Sequence, residues 1–309
     1  MQHHLSLEAL ALDGAWVTIG SFDGVHRGHQ AIINYLVHGA HAASKPAVVV
    51  TFFPHPAVVL RGLPGPIYLT SDDERARLFA DLGVDHVITL TFDQELASHT
   101  AQQFMQNLAD ALHLSRLIVG NDFGLGRGRQ GDILTLRHLG ETLGYEVDGF
   151  TPISINEQVI SSTRIRHLIT QGLVSEAALL LGRWHNLTGR VVHGDGRGRT
   201  IGIPTANLSI WPERVIPARG VYATLASIHN HPVPAVTNIG LRPTFEANAA
   251  LTRVESHLLD YDEDLYGMEL RLDFVKFLRP EQRFPSASAL LDQIHQDILN
   301  AREVLPYVP

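Results

Sequence analysis

The chain has 309 residues, 45% of them apolar, and a formal net charge of −8. That length predicts two domains, each with its own core. The negative balance argues against a nucleic-acid surface, and the absence of cysteine excludes disulfides, thiolate catalysis and Cys-based zinc sites. With no apolar run long enough to cross a bilayer and no signal-like start, a soluble, cytoplasmic protein with no membrane partner is expected. Lys45 and Lys276 are the only lysines, and neither follows glycine, so a Walker A loop is excluded. Phosphate would have to be held by arginine, histidine, backbone N–H or metal.

Residues 16–19 form a short apolar run that reads as a strand stopping at Gly20. A turn follows, with Gly24 and Gly28 flanking His26, and then Ile32, Ile33, Leu36, Val37 and Ala40 repeat at helical spacing. A helix start carries unpaired N–H groups and about half a positive charge, which suits phosphate. His26 and His29 stand where that helix begins. The plain alternative is a strand-to-helix turn with two surface histidines.

Residues 47–53 (AVVVTFF) read as a strand covered on both faces. Ser71 with Glu74, and Thr100 with Gln103, are capping boxes that open two helices. Strands are predicted at 87–92 and 117–119. This alternation argues for a parallel sheet in an α/β domain, with ligands beyond the carboxyl ends of the strands. The first turn lies at such an end, and so does the Gly- and Arg-rich stretch 120–132, GNDFGLGRGRQGD. Gly126, Gly128 and Gly131 match G-x-G-x-x-G, with Asp148 at the distance of a ribose-binding acid, so an NAD-dependent oxidoreductase is an alternative. Against it, the fingerprint normally follows its strand at once, whereas several residues separate Gly120 from Gly126.

In ISSTRIRHLI, residues 160–169, Ser161, Ser162 and Thr163 are good caps. With Arg164 and Arg166 in the first turns, this is a second candidate anion site, or else an ordinary capped helix. Ser175 is expected to cap a short helix over 176–181, and the domain boundary is placed after Gly182, giving domains 1–182 and 183–309. Strand patterns then dominate, at 187–193, 220–228, 233–238, 252–259 and 268–278, before one helix over 286–299. Many strands and one terminal helix suggest a small β-barrel. Within 189–208, Gly194, Gly196, Gly198 and Gly202 with Arg197 and Arg199 could wrap phosphates. Thr205 and Asn207, two apart on an extended segment, face one way and offer hard oxygen ligands for Mg²⁺ carried by a nucleotide. Glu255 on a strand could serve as general base toward a hydroxyl. A Gly-rich hairpin and a solvated strand glutamate are the plain alternatives.

Taken together, the motifs resemble the bacterial bifunctional riboflavin kinase/FMN adenylyltransferase (FAD synthetase) family over nearly the whole chain. GSFDGVHRGHQ, TFFPHP, GNDFGLGRGRQGD and ISSTRIR are similar to its adenylyltransferase half. GRTIGIPTANL, GVYAT, NIGLRPTF, VESHLLDYDEDLYG and FLRPEQRF are similar to its kinase half. The resemblance implies a Rossmann-like nucleotidyltransferase domain followed by a small antiparallel β-barrel. It implies phosphorylation of riboflavin by ATP to FMN, then adenylylation of FMN by a second ATP to FAD with release of pyrophosphate, with Mg²⁺ as cofactor. It puts Glu255 as base on the ribityl hydroxyl, and Thr205 and Asn207 at Mg²⁺ and the phosphates. It puts His26, His29 and Arg166 at the adenylyl transfer. Gly20, Phe22, Asp23, Gly24, Gly28, Asn121, Ser162 and Thr163, and in the second half Gly198 and Arg199, are implied to bind ATP or flavin.

The chain departs from the family pattern at Phe53 (commonly aspartate), Leu125 (an aromatic), Ile203 (phenylalanine) and Glu263 (glycine). Leu125 would bear on flavin stacking. A flavin- or nucleotide-binding regulator without turnover is the remaining alternative.

Overall fold

The structure is a computed structural model. It describes all residues except 8, 9, 11, 64, 156, 195–197, 199–201, 230, 243–250 and 306–309. Arg199, with Gly196 and Arg197, therefore lies outside the described residues. The described chain falls into two compact units, one of Met1–Gly65 with Thr70–Ser162 and one of Pro66–Leu69 with Thr163–Pro309.

The first unit holds strands β1 (Gln2–His4), β2 (Trp16–Ile19), β3 (Ala47–Phe53), β4 (His86–Thr91), β5 (Arg116–Gly120) and β6 (Glu146–Phe150). Its helices are α1 (Arg27–Ala42), α2 (Pro56–Arg61), α3 (Asp72–Asp81), α4 (Gln94–Ser98), α5 (Ala101–Leu112) and α6 (Ile133–Leu143). The six strands form one parallel sheet in the order β1-β4-β3-β2-β5-β6. A two-stranded ribbon, β7 (Ser154–Ile155) with β8 (Gln158–Val159), completes the unit.

Alternation along β3 explains its apolar run. Val48 and Val50 pack with Phe104, Met105 and Leu108 of α5, while Ala47 and Val49 pack with Ile33 and Leu36 of α1. All four of those β3 residues are fully buried. Each valine so covered contributes about 1.5–3 kcal/mol. The chain winds outward from β2 through β3 to β4, then returns to β5 on the other side of β2. The order of winding reverses between β2 and β5, and a doubly wound sheet binds ligands beyond the strand ends at that reversal. Ile19 and Gly120 are the last residues of those two strands.

In the second unit, β9 (His185–Val192), β10 (Ala206–Ile210), β11 (Gly220–Ile228), β12 (His231–Arg242), β13 (Leu251–Leu258) and β14 (Glu269–Arg279) close an antiparallel barrel in the order β10-β13-β12-β11-β14-β9. Helices α7 (Ser162–Thr170), α8 (Val174–Leu181) and α9 (Ala287–Val304) accompany it, Ser162 itself being grouped with the sheet. Tyr222, Ala226, Ala235, Val254 and Leu258 point into the barrel. Ala223 and Leu225 point outward, under Ala301 and Leu305 at the end of α9. Arg279 of β14 donates Nε to Asp297 Oδ1 at 2.9 Å and Nη2 to Oδ2 at 2.8 Å, so a 2% exposed carboxylate fixes α9 to the barrel wall.

The expected helix near 176–181 begins earlier, at Val174, with Leu173 as its N-cap and no side-chain cap. Ser175 instead donates to the Val275 carbonyl at 2.9 Å.

Candidate active sites

The turn between β2 and α1 is held by side chains bonded to its backbone and to one another. His26 is the N-cap of α1 and is 4% exposed; its Nδ1 accepts from the His29 N–H at 3.2 Å. The two imidazoles stack, with centroids 3.5 Å apart and planes at 18°. Phe22 lies beneath them, 6% exposed, its ring edge-on to His29 at 5.1 Å and to Phe79 at 5.9 Å. Gly20 allows this, since a Cβ there would press on the Phe22 ring at 3.0 Å. Gly28 has no Cβ to crowd the His26 ring, which would lie 3.1 Å away. Gly24 has φ +82°, a left-handed conformation that glycine adopts without strain.

Buried polar groups fasten the turn from α3 and from the loop before it. The Asp23 carboxylate, 1% exposed, accepts from the Thr70 N–H at 3.1 Å and the Thr70 hydroxyl at 3.2 Å. Thr70 Oγ1 in turn accepts from the Gly24 N–H at 3.1 Å. Arg75 of α3 is 1% exposed; it donates to the Ser21 carbonyl at 3.1 Å and the Phe52 carbonyl at 3.3 Å, and pairs with Asp72 at 2.6 Å. Thr51 also donates to Ser21. Ser162, the first residue of α7, donates to the Asp23 carbonyl at 2.9 Å. The sheet unit thus brings together Gly20, Phe22, Asp23, Gly24, His26, Gly28, His29 and Ser162. Thr163 and Arg166 fall in the other unit, where Arg166 Nε donates to the Ile67 carbonyl.

Beyond β5, Asn121 is tied to the end of β6, its N–H to the Phe150 carbonyl at 3.0 Å. The glycines matching G-x-G-x-x-G do not build a strand-turn-helix fingerprint. Gly126 caps a short 3₁₀ turn, Arg127–Arg129, with Gly128 inside it, and Gly131 pairs with Leu125. Asp148, the would-be ribose ligand, is bonded to Arg116 at 2.9 Å. Leu125 is 8% exposed and belongs to the core packed against α5.

The barrel carries two cavities that share Gly198 and Thr205. One, of about 250 Å³, is walled by Gly194, Asn207, Ser256 and the acidic segment 261–266. The other, of about 350 Å³, lies between the outer face of the barrel and α9, with Val221, Val236, Phe284, Leu290 and Ile294 as an apolar lining and Asn238, Glu255 and Glu281 as polar groups. Period-two alternation on β13 explains the split: Val254, Ser256 and Leu258 point inward, and Glu255 outward beside His257. Asn207, Glu255 and Asn238 form one row across β10, β13 and β12, each a direct cross-strand partner of the next. Arg253 Nε donates to Asn207 Oδ1 at 2.9 Å, and its Nη2 lies 2.7 Å from Glu255 Oε1. Gly194 has no Cβ that would collide with the Asn207 amide, and Gly198 none that would collide with the Ile203 carbonyl. Tyr222 sits inside the barrel with its phenol pKa pushed up by burial.

Several of these supports carried no signal in the sequence reading. Thr70, Arg75 and Arg253 are ordinary residues in local pattern, and only long-range pairing gives them a role. The buried row Thr224–Thr237–Ser256, bonded hydroxyl to hydroxyl at 2.7 and 2.9 Å, could have been suspected from three polar residues at inward strand positions.

The FAD synthetase family model matches residues 9–164 and the riboflavin kinase family model matches residues 181–305. The bifunctional riboflavin kinase/FMN adenylyltransferase of Escherichia coli K12 is 40% identical over 293 residues, covering 94% of this chain and 93% of that one. Its counterpart in Pseudomonas fluorescens is 39% identical over 290 residues, covering 94% and 92%. A crystal structure from Streptococcus pneumoniae, described as a macrolide-efflux protein, superposes with a TM-score of 0.88 at 31% identity, covering 97% of this chain and 98% of that one. Among the described residues of the present chain, no helix is long and apolar enough to cross a membrane. The two family models in tandem, with relatives matched almost end to end, show that the chain belongs to the bifunctional riboflavin kinase/FMN adenylyltransferase family.

Proposed function

We propose that this chain phosphorylates riboflavin to FMN in its barrel and adenylylates FMN to FAD at the turn beyond β2, consuming one ATP in each step. The observation that carries the kinase assignment is the pair of barrel cavities meeting at Thr205 and Gly198. Phosphoryl transfer needs two substrates end to end, and a shared wall is where a γ-phosphate would meet a hydroxyl. The apolar cavity under α9 suits the flat flavin ring; the cavity beside the Gly-rich hairpin suits the nucleotide. Glu255, in the flavin cavity, takes the proton of the ribityl hydroxyl as its oxygen attacks the γ-phosphorus and ADP departs.

Thr205 and Asn207 fit Mg²⁺ of a particular kind. Both offer hard oxygen, and Asn207 Oδ1 already faces a cationic group, Arg253. Among the described residues no cluster of three or more His, Cys, Asp or Glu could hold a metal on its own. A metal arriving on ATP phosphates and keeping some of its waters needs no such cluster. When bound it would supply neutralisation of the phosphate charge.

For the second step, we assign His26, His29 and the start of α1 to the ATP phosphates, where they steady charge as the FMN phosphate attacks the α-phosphorus and pyrophosphate leaves. Ser162 supports the turn; Thr163 and Arg166, carried over from the family motif, are assigned to the triphosphate, and Asn121 to nucleotide or flavin. We keep the functional boundary at Gly182, a reading supported by the kinase family match beginning at residue 181. We assign the enzyme to the cytoplasm, where both steps would find their ATP.

The test is purified protein with riboflavin, ATP and Mg²⁺, products separated by chromatography. FMN followed by FAD is expected. Ligand binding with neither product would make the chain a flavin-binding regulator, and FMN alone would leave only the kinase.

A further inference from the structure

Arg253 stands between the two groups assigned to opposite ends of the phosphoryl transfer. Its Nε donates to Asn207 Oδ1 at 2.9 Å, and its Nη2 lies 2.7 Å from Glu255 Oε1. Asn207 and Glu255 are direct partners across β10 and β13, so their side chains leave neighbouring strands on the same outer face. Arg253 lies two residues before Glu255 on β13, on that face, and all three line the barrel cavities described above.

A guanidinium is a donor only, stays charged at any working pH, and presents its N–H groups in a fixed plane. Beside it, the Asn207 amide is stable only with its oxygen turned toward Arg253, because the amide nitrogen would meet another donor. Arg253 therefore decides which end of that amide is available for a cation. A carbonyl oxygen has two lone pairs, so accepting from Arg253 leaves capacity for a second cationic neighbour. The same guanidinium fixes the direction of the Glu255 carboxylate.

We propose that Arg253 is a positioning residue for the kinase step: it locks the base and the phosphate-end oxygen in one register, so that both are presented at the shared wall together. This rests on the reading of Glu255 and Asn207 as kinase groups. The Arg253 side chain is 25% exposed and that of Glu255 23%. Partly exposed pairs contribute about 0–1 kcal/mol to stability, so the consequence of losing Arg253 belongs in the rate rather than the fold. A misplacement on the order of 1 Å in a reacting group costs about 10²-fold.

The experiment uses full-length Arg253→Met, Arg253→Lys, Glu255→Gln and the Arg253→Met/Glu255→Gln double variant. Three quantities are read: kcat for FMN formation, riboflavin affinity from quenching of flavin fluorescence, and conversion of supplied FMN to FAD. Arg253→Met is expected to lower kcat about 10–100-fold, with riboflavin affinity and FAD formation close to the parent. Arg253→Lys should recover part of the loss, keeping the charge without the fork. The double variant should lose less than the product of the two single losses, because the part of the Arg253 effect that passes through Glu255 is already gone. A parental kcat in Arg253→Met while Glu255→Gln is inactive would overturn the Arg253 proposal alone. Losses that multiply in the double variant would overturn it too. FMN formation persisting in Glu255→Gln would overturn the underlying assignment instead.

Discussion

The turn beyond β2 and the outer face of the barrel are both read as phosphate sites, yet they are built from different materials. At the turn, the groups that shape the site are interior ones: Asp23 and Arg75 are each 1% exposed, and their bonds run to Thr70 and to backbone carbonyls. On the barrel, the strands are fixed by their own ladder, and the chemistry rests on side chains that leave an outer face about one-quarter exposed. A site made by bending the backbone has to be held by buried polar bonds, so its supports are also supports of the fold. A site made on a regular sheet inherits its geometry from strand register, so its side chains are free to be specialised for rate.

The sharpest break between the two regions is Glu255→Gln. Loss of a general base costs about 10²–10⁴-fold, so FMN formation should all but stop while supplied FMN is still converted to FAD; the two products are read by chromatography. Next is His29→Ala, which should slow FAD formation by about 10²–10³-fold, the usual cost of removing one group that stabilises developing charge. FMN should still accumulate from riboflavin in that variant. Thr70→Val removes the hydroxyl that donates to Asp23 and accepts from Gly24 N–H. Leaving those buried groups short of a partner should cost about 1–3 kcal/mol in urea unfolding and slow FAD formation as well. Asn207→Ala should lower FMN formation while shifting stability by no more than about 0.5 kcal/mol, as for a partly exposed surface change. Equal stability losses in Thr70→Val and Asn207→Ala would erase the distinction drawn here.

The smallest expected effect is on the edge strand β1. His4 and His86 stack at 5.4 Å and share a hydrogen bond of 3.2 Å, which needs at least one neutral ring. Burial lowers the His4 pKa, and repulsion from His3 adds to it; burial likewise lowers that of His86, followed by repulsion from His4. A depressed imidazole pKa means the fold prefers the neutral form. Its contribution is complete above the ordinary value of about 6.5 and is lost as pH falls below it through the lowered pKa. Protection against hydrogen exchange at Gln2–His4, after correction for the intrinsic exchange rate at each pH, should therefore fall below that pH, and a His4→Phe variant should flatten the dependence.

Local signals told most of the framework. The run at β3, the capping boxes of α3 and α5 and the strand β11 appear where apolar spacing and hydroxyl caps put them, because each is decided within a few residues. The terminal helix runs on to Val304, past the expected 299, since its last turn is held by Ala301 and Leu305 against the barrel. β1 and β6 carry no local signal: β1 is three polar residues that become a strand only by pairing with β4, and β6 is a half-exposed edge. In the sites, glycines, histidines and Glu255 could be singled out by type and spacing. Thr70, Arg75 and Arg253 could not, because their partners lie 46 or more residues away at Gly24, Ser21 and Asn207. Ser175 shows the converse error, a good cap residue used instead to bond β14.

The claim that two separate sites act in sequence is tested most directly by mixing Glu255→Gln with His29→Ala and supplying only riboflavin, ATP and Mg²⁺. The first variant keeps the adenylyltransferase and the second the kinase, so the mixture should form FAD far faster than the summed rates of the two proteins assayed alone. FAD formation in the mixture no faster than that sum would contradict the account.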